Sequence, residues 1–377
     1  MFIHIVAFDI PYPANYGGVI VIYYQLKALH ARGVKIILHC FRYGGREEQQ
    51  ELLKYCHKVH YYSRPLGWWY QISLIPYIIR TRQSRLLRKK LQKDNYPILF
   101  EGMHTAGFMW RKRFRARQKI IRMHNVEWQY YENLFNLSVN KSWKERIYFF
   151  IESIKLQRTE PYVLLFADEI IALSTHDYNY YRALKANTHL IPPFHANSAI
   201  KCPEGKGSYV LFHGKLSVPD NDRAAVWIIQ EVFKFLNIPL VIAGMDPSPQ
   251  LLKLAAAYPH ISIVANPTER EMDDLLKEAQ INLLISFQLS GIKLKLINSL
   301  YNGRFCIANE AMVSGSGLES LCHVRNSASG IRQTIEALIN VPFEVARIRD
   351  RKEKLESTFS NSVNAEKMMA LFKFYDA

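Results

Sequence analysis

The chain contains no run of about 18 uncharged apolar residues, so no segment of it reads as a transmembrane helix. It has no GxGxxG fingerprint after its first apolar run. Nor has it a Walker loop: Gly214-Lys215-Leu216-Ser217 lacks the upstream glycine, because Tyr209 stands there. These absences exclude nicotinamide dehydrogenases and P-loop nucleotidases. Cysteine is sparse. Cys40, Cys56, Cys202, Cys306 and Cys322 are scattered, with no CxxC pair and no disulfide spacing, which fits a reducing cytoplasm. Cys56, His57 and His60 are close in sequence but lack a second ligand pair, and no bound metal is expected. There is no repeat at a solenoid period and no low-complexity tract. The opening residues Met1–Phe8 lack a basic leader region and are followed by Asp9, so they read as a buried first strand rather than a signal peptide. Acidic residues are the scarcer charge, leaving a net charge of +16. That excess calls for an anionic counterpart: a polyanion, an anionic membrane surface or a diphosphate substrate. No RRM, KH, OB or helix-turn-helix pattern accompanies it, so no nucleic-acid partner is expected.

Apolar strand-like runs alternate with helix-like runs throughout. Phe2–Phe8, a helix over Val19–Arg32 ending at Gly33, and Val34–Cys40 make a first βαβ unit. Ile98–Phe100, Ile120–Met123 and Glu169–Leu173 continue the series. A break rich in Pro, Gly and polar residues runs from Ile191-Pro-Pro-Phe through Gly207. A second series follows: Tyr209–His213, Leu240–Ala243, Ile261–Val264, Ile281–Ser286 and Phe305–Ala308, separated by helices starting near Asn221, Pro249, Arg270 and Lys293. Continuously apolar strands between helices indicate parallel sheets covered on both faces. The expected fold is therefore α/β: two Rossmann-like, doubly wound parallel-sheet domains facing a central cleft. Their expected extents are 1–195 and 206–360, with 361–377 a final helix packing back on the first domain.

Several segments carry chemistry. Gly17-Gly18 follows the first strand and opens a helix, where backbone amides can approach a phosphate. His124 and Glu127 follow the end of one strand, and His104 stands at the same place one strand earlier. Such positions face the ligand crevice of open α/β sheets, where His and Glu orient a hydroxyl or move a proton. Each also has a bland reading as a satisfied structural residue. Gly214-Lys215 closes the first strand of the second half and suits a diphosphate. In the second half, Ser290-Gly291-Ile292-Lys293-Leu294-Lys295 opens a helix that carries Asn298 about two turns in. Lys293 and Lys295, two apart, cannot share one helical face, so at most one reaches a phosphate if both are helical.

The order and spacing of these segments resemble glycosyltransferase family 4 (GT4), whose members have the GT-B fold. The likeness is widest with bacterial polysaccharide-locus members carrying an "HNVE" segment, here His124-Asn125-Val126-Glu127. It covers nearly the whole chain, including the strand Ala167–Ser174 and the Ser290–Gly303 block. The resemblance implies a retaining transfer from a nucleotide sugar, without a bound metal or other cofactor. It implies that the donor diphosphate is held by Gly17, Gly18, Lys215 and one of Lys293 and Lys295. His124 would contact the donor sugar near the reacting carbon, and the leaving diphosphate would help deprotonate the acceptor. The implied acceptor is a glycan or a polyprenyl-diphosphate-linked glycan, bound to the first domain.

The chain departs from the family at its Glu-x7-Glu signature, where Ser290 and Asn298 stand, and at the usual second-half lysine, near Asn221. Two further readings on the same fold are a non-catalytic subunit partnering another transferase, and a sugar-nucleotide epimerase. Two basic, aromatic stretches of the first half, Arg64–Lys90 and Trp110–Arg117, suit either a solvated basic face or the anionic inner face of the plasma membrane.

Overall fold

The computed structural model describes residues 1–138, 142–288 and 291–373. Among them every strand–strand ladder is parallel, and two sheets form. The chain divides into two units. The first comprises residues 1–196, the short stretch at Gly291 and Ile292, and the chain from Phe359 onward; the second comprises residues 197–288 and 293–358.

The first unit runs β1 (Phe2–Ala7), α1 (Gly17–Ala31), β2 (Lys35–Arg42), β3 (Lys58–Ser63), α2 (Tyr77–Arg80), α3 (Arg85–Leu91), β4 (Ile98–Glu101), β5 (Lys119–Met123), α4 (Glu127–Leu137), α5 (Trp143–Leu164), β6 (Glu169–Ala172), α6 (Thr175–Leu184) and β7 (Thr188–Leu190). The strand order is β3-β2-β1-β4-β5-β6-β7. Alternation along β1 supplies both faces of the sheet. Ile3, Ile5 and Ala7 join Leu26 and Leu29 of α1 in one core. Val6 joins Phe100, Met123 and Leu156 in the other.

The second unit runs β8 (Tyr209–His213), α7 (Pro219–Trp227), β9 (Leu240–Gly244), α8 (Pro249–Ala255), β10 (Ile261–Ala265), α9 (Glu269–Glu278), β11 (Ala279–Leu284), α10 (Leu294–Asn302), β12 (Phe305–Ala308), α11 (Glu310–Val313), β13 (His323–Val324), α12 (Ala328–Leu338) and α13 (Val345–Phe359). Its order is β10-β9-β8-β11-β12-β13. Val210, Phe212, Leu283 and Ile307 form its main core with residues such as Ile229 and Ile335. Helix starts follow their caps: α9 opens on a full capping box between Thr268 and Glu271.

The last helix, α14 (Asn361–Met369), belongs to the first unit. Ala365 and Met368 sit in the same core as Ile3 and Leu26.

Three strands have no counterpart in the sequence reading: β3, β7 and β13. All are edge or next-to-edge strands, short or half-buried, so they lack the continuous apolar run of a central parallel strand. The strand expected over Ile281–Ser286 begins earlier and ends at Leu284. Beyond it the ladder gives way to side chains. Ser286 N donates to Asn309 Oδ1 (3.1 Å), and Ser286 Oγ donates to Asp220 Oδ2 (2.7 Å). Among the described residues no helix is long and apolar enough to cross a membrane.

Candidate active site

In an open parallel sheet the ligand crevice opens at the carboxyl ends of the strands, where the strand order reverses. In the first sheet that point lies between β1 and β4. Phe8, Glu101 and His124 stand there, at the ends of β1, β4 and β5. His124 Nε2 lies 2.8 Å from Glu101 Oε2. Glu101 is fully buried, and its other oxygen accepts from Gln25 Nε2 at 2.7 Å. Gln25, on α1, accepts in turn from the buried Arg122 guanidinium. Arg122 also lies 3.7 Å from Glu101 and over the Phe194 ring.

Burial pushes the Glu101 carboxyl up, but Arg122, His124 and Gln25 outweigh it and hold it below its ordinary value. Burial pushes His124 down against the pull of Glu101, so its imidazole is neutral at neutral pH. A neutral imidazole donating Nε2–H to a carboxylate carries its lone pair on Nδ1. The chain Arg122–Gln25–Glu101–His124 therefore fixes both the orientation and the tautomer of one histidine.

The Phe8 ring lies against His104 and His124, with centroids 5.0 and 5.3 Å apart. A Cβ on Gly18 would come within 2.7 Å of that ring, so the start of α1 approaches it as only glycine allows. Gly17 is the first residue of α1, and no side chain among the described residues caps this end. Amides and dipole there favour an anion. Arg46 holds the preceding turn, donating from Nε to Ile10 O (3.0 Å) and from a terminal nitrogen to Asn15 Oδ1 (2.9 Å).

His104 Nδ1 lies 3.9 Å from Glu127 Oε1, and neither atom has a hydrogen-bond partner among the described residues. Burial drives His104 far down, helped by the charges of Arg82, His124 and Arg64. Burial, with the nearby Asp177 carboxyl, pushes Glu127 up to about 8. Both groups are thus neutral near pH 7, and their contact is not an ion pair. Behind them Glu127 N donates to Glu160 Oε2 (3.3 Å), and burial beside Glu127 raises Glu160 to about 8 as well. Adjacent carboxyls in a poorly solvated interior cannot all ionise.

Two arginines from the stretch read as a basic surface turn inward here. Arg82 is buried and donates to Phe8 O and Ile78 O, both at 2.9 Å. Arg64 donates to Thr81 Oγ1 and lies over the Tyr43 ring, as Arg82 does. Arg117, from the second basic stretch, is also buried, bonded to Asp94 and to backbone carbonyls. Backbone carbonyls, the half-buried Asp94 carboxylate and the Tyr43 ring hold these guanidinium groups.

In the second sheet the order reverses between β8 and β11. Lys215, just past β8, is exposed. Its carbonyl accepts from Asn221 Nδ2 (3.0 Å). Asn221 Oδ1 accepts from Lys295 Nζ (2.9 Å), which also donates to Ile285 O at the end of β11 (3.2 Å). Lys295 and Asn221 thereby bridge the reversal point. Burial pulls Lys295 down to about 8, despite Asp220. His213, bonded to Ser299 Oγ at 2.9 Å, is driven to about 3 by burial and Lys295, and is neutral.

Lys293 has extended backbone (φ −94°, ψ 101°) as the cap residue of α10, whereas Lys295 is helical. The restriction expected for two helical lysines therefore does not apply. Asn298 lies one turn into α10, not two, because the helix begins at Leu294. Its Oδ1 accepts from Asn302 (2.9 Å) and Asn197 (3.3 Å), so a ribose hydroxyl would compete with both. Gly291 groups with the first unit and has φ +73°; a Cβ there would meet Asn125 Oδ1 at 2.0 Å. Ser290 lies outside the described residues.

Within the first unit, then, His104, His124, Glu127, Gly17 and Gly18 gather around Phe8 and the carboxyl ends of β4 and β5. Within the second, Lys215 and Lys295 are joined through Asn221. Sequence reasoning missed Glu101, Gln25, Arg122, Arg82 and Glu160. A lone charge inside an apolar strand, as in Phe100-Glu101 and Ile121-Arg122, was the available signal. Nothing local marks Gln25, whose partner is 76 residues away.

No family model matches the chain. A protein of Klebsiella pneumoniae, described as an uncharacterized 44.6 kDa protein in the cps region, is 26% identical over 331 residues, spanning 83% of this chain and 84% of the relative. Among solved structures, sucrose-phosphate synthase from Thermosynechococcus elongatus aligns with TM-score 0.68 at 15% identity, over 98% of each chain. HepE from Anabaena, in complex with UDP and glucose, aligns with TM-score 0.67 at 11% identity, also over 98% of each chain. These likenesses show the fold: the chain has the GT-B architecture of glycosyltransferases.

Proposed function

We propose that this chain is a retaining glycosyltransferase of the GT4 type. It moves a sugar from a nucleotide-sugar donor to a glycan or lipid-linked glycan in surface polysaccharide synthesis. The observation that carries the reading is the buried chain Arg122–Gln25–Glu101–His124, which presents one oriented, neutral histidine at the strand ends of a GT-B fold. The UDP and glucose held by HepE, and the cps-region setting of the Klebsiella relative, support donor class and pathway.

In this mechanism the bond between the anomeric carbon and the diphosphate oxygen breaks, and the electron pair leaves with the diphosphate. The acceptor hydroxyl attacks from the same face and passes its proton to a departing phosphate oxygen. Lys215 and Lys295 stabilise the charge that develops there, in place of a metal ion. His124 positions the donor sugar. Neutral Glu127 and His104 line the same strand ends, as groups able to donate and accept hydrogen bonds to hydroxyls.

The occupied Oδ1 of Asn298 favours a second reading, a non-catalytic subunit. Thermal unfolding of the full chain with UDP, GDP and their sugars separates the readings when paired with product analysis. Stabilisation by one nucleotide class is expected, amounting to about 2.7 kcal/mol at a hundredfold excess over Kd, together with transfer to an acceptor. Binding without turnover on any acceptor supports the subunit; absence of any nucleotide response overturns the transferase.

A further inference from the structure

No acidic residue stands between Arg64 and Lys93, and the structure sorts this segment by direction. Arg64 and Arg82 turn inward. Over residues 65–74 the chain leaves the core, which it rejoins at Ile78 and Ile79. Trp68–Ile72 form a short 3-10 turn in which no residue is buried. Leu66, Trp68, Trp69, Ile72 and Leu74 are exposed, Trp68 by 68% and Leu74 by 91%.

This turn is held in place rather than loose. Lys155 Nζ donates to Gln71 O at 2.6 Å, Tyr77 N donates to Glu152 Oε2 at 2.7 Å, and the Tyr77 and Tyr148 rings meet edge to face. These contacts set α5 alongside. On α5, Trp143, Ile147, Ile151 and Lys155 follow at four-residue spacing and form one row. The first three are exposed, Trp143 by 68%, and Phe150 is exposed beside them. The fourth anchors the turn. The apolar side chains of 66–74 and the outer row of α5 therefore adjoin.

Soluble monomers seldom expose so many large apolar side chains together. The surrounding charge identifies what covers them. Arg80, Arg85, Lys89 and Lys90 are exposed along the same segment, as are Lys144 and Arg158 on α5. An anionic bilayer satisfies both features at once: tryptophans at the headgroup level, aliphatic tips at the acyl boundary, and cations against the phosphates. We propose that residues 66–74 and the outer row of α5 form a docking face that inserts into the surface of an anionic membrane. The face is independent of the transfer chemistry, because none of these residues belongs to the histidine, carboxyl or lysine groups above.

Co-sedimentation of the full chain with vesicles tests it, using phosphatidylcholine alone and phosphatidylcholine mixed with phosphatidylglycerol. Binding is expected only to the phosphatidylglycerol vesicles, weakening as salt rises. The double variants Trp68→Ser/Trp69→Ser and Ile147→Ser/Ile151→Ser should each weaken it by about tenfold or more. Leu252→Ser, at an exposed leucine of the second unit, should leave it unchanged. Undiminished binding by both double variants, or no binding by the parent, overturns the proposal. So does a parent dimer in light scattering that the variants lose, since a second copy would then cover the face. A nucleotide-induced thermal shift retained by the variants keeps failure of docking distinct from failure of the transferase reading.

Discussion

At the scale of single residues, the buried Glu101 carboxylate matters through what it does to His124. His124→Ala should lower kcat by about a hundredfold while changing donor Kd by less than about threefold. Glu101→Gln keeps the volume but removes the carboxylate that selects the tautomer, so kcat should fall by roughly tenfold in the same assay. Equal losses in donor affinity would assign both residues to binding instead. Lys295 makes the opposite kind of prediction. Its ammonium, depressed to about 8, loses its proton as pH rises through that value, whereas an arriving diphosphate favours the charged form. Donor affinity should therefore fall above about pH 8, by up to about tenfold per pH unit. Titration calorimetry across that range reads it, and Lys295→Met should abolish the dependence. The positions of His124, Glu127 and Lys215 just past strand ends were legible in the sequence, as was the helix start at Gly17 and Gly18. Gln25 and Glu160 were not, because they reach their partners from helices distant in the chain.

At the scale of elements, α5 and β4 carry opposite electrostatic designs. On β4 a carboxylate is kept ionised by a buried guanidinium. On α5 Glu160 is buried beside Glu127 and raised to about 8. A carboxyl raised on folding costs nothing below its ordinary value of 4.5 and destabilises increasingly as pH climbs to its folded value. Glu160→Gln should thus raise unfolding free energy by roughly 1–3 kcal/mol near pH 8 and have little effect near pH 4. Chemical denaturation at the two pH values gives the comparison. Central strands such as β1, β5 and β8 were legible because burial on both faces writes a mostly apolar run, interrupted only at single positions such as His4 and Arg122. The edge strand β3 was not: of Lys58-Val-His-Tyr-Tyr-Ser only Tyr62 is buried. The end of β11 was misplaced because Asn309 and Asp220 capture Ser286, a tertiary event that no local pattern announces.

At the scale of the whole molecule, the alternation of apolar strands and helices was enough to read two parallel sheets, since few other architectures bury such strands. The net charge of +16 was legible as a number but not as a distribution. Arg82, Arg117, Lys119, Arg122, Arg304 and Arg351 are all buried, and only the remaining cations are left to meet a partner. If lysines rather than a metal ion neutralise the diphosphate, transfer activity should persist in excess EDTA, and a loss restored by a divalent cation would refute that assignment.

The return of α14 to the first sheet has a consequence for synthesis. Ala365, Met368 and Phe372 complete a core that begins at Ile3. A ribosome-bound chain that has finished β7 still lacks a wall of its first hydrophobic core. It must carry that opening through the making of the entire second unit. The surface left uncovered is the α1 side of the sheet, so ribosome-associated chaperones should be retained there until residues 359–373 emerge, and truncation before Phe359 should leave the first unit prone to aggregate.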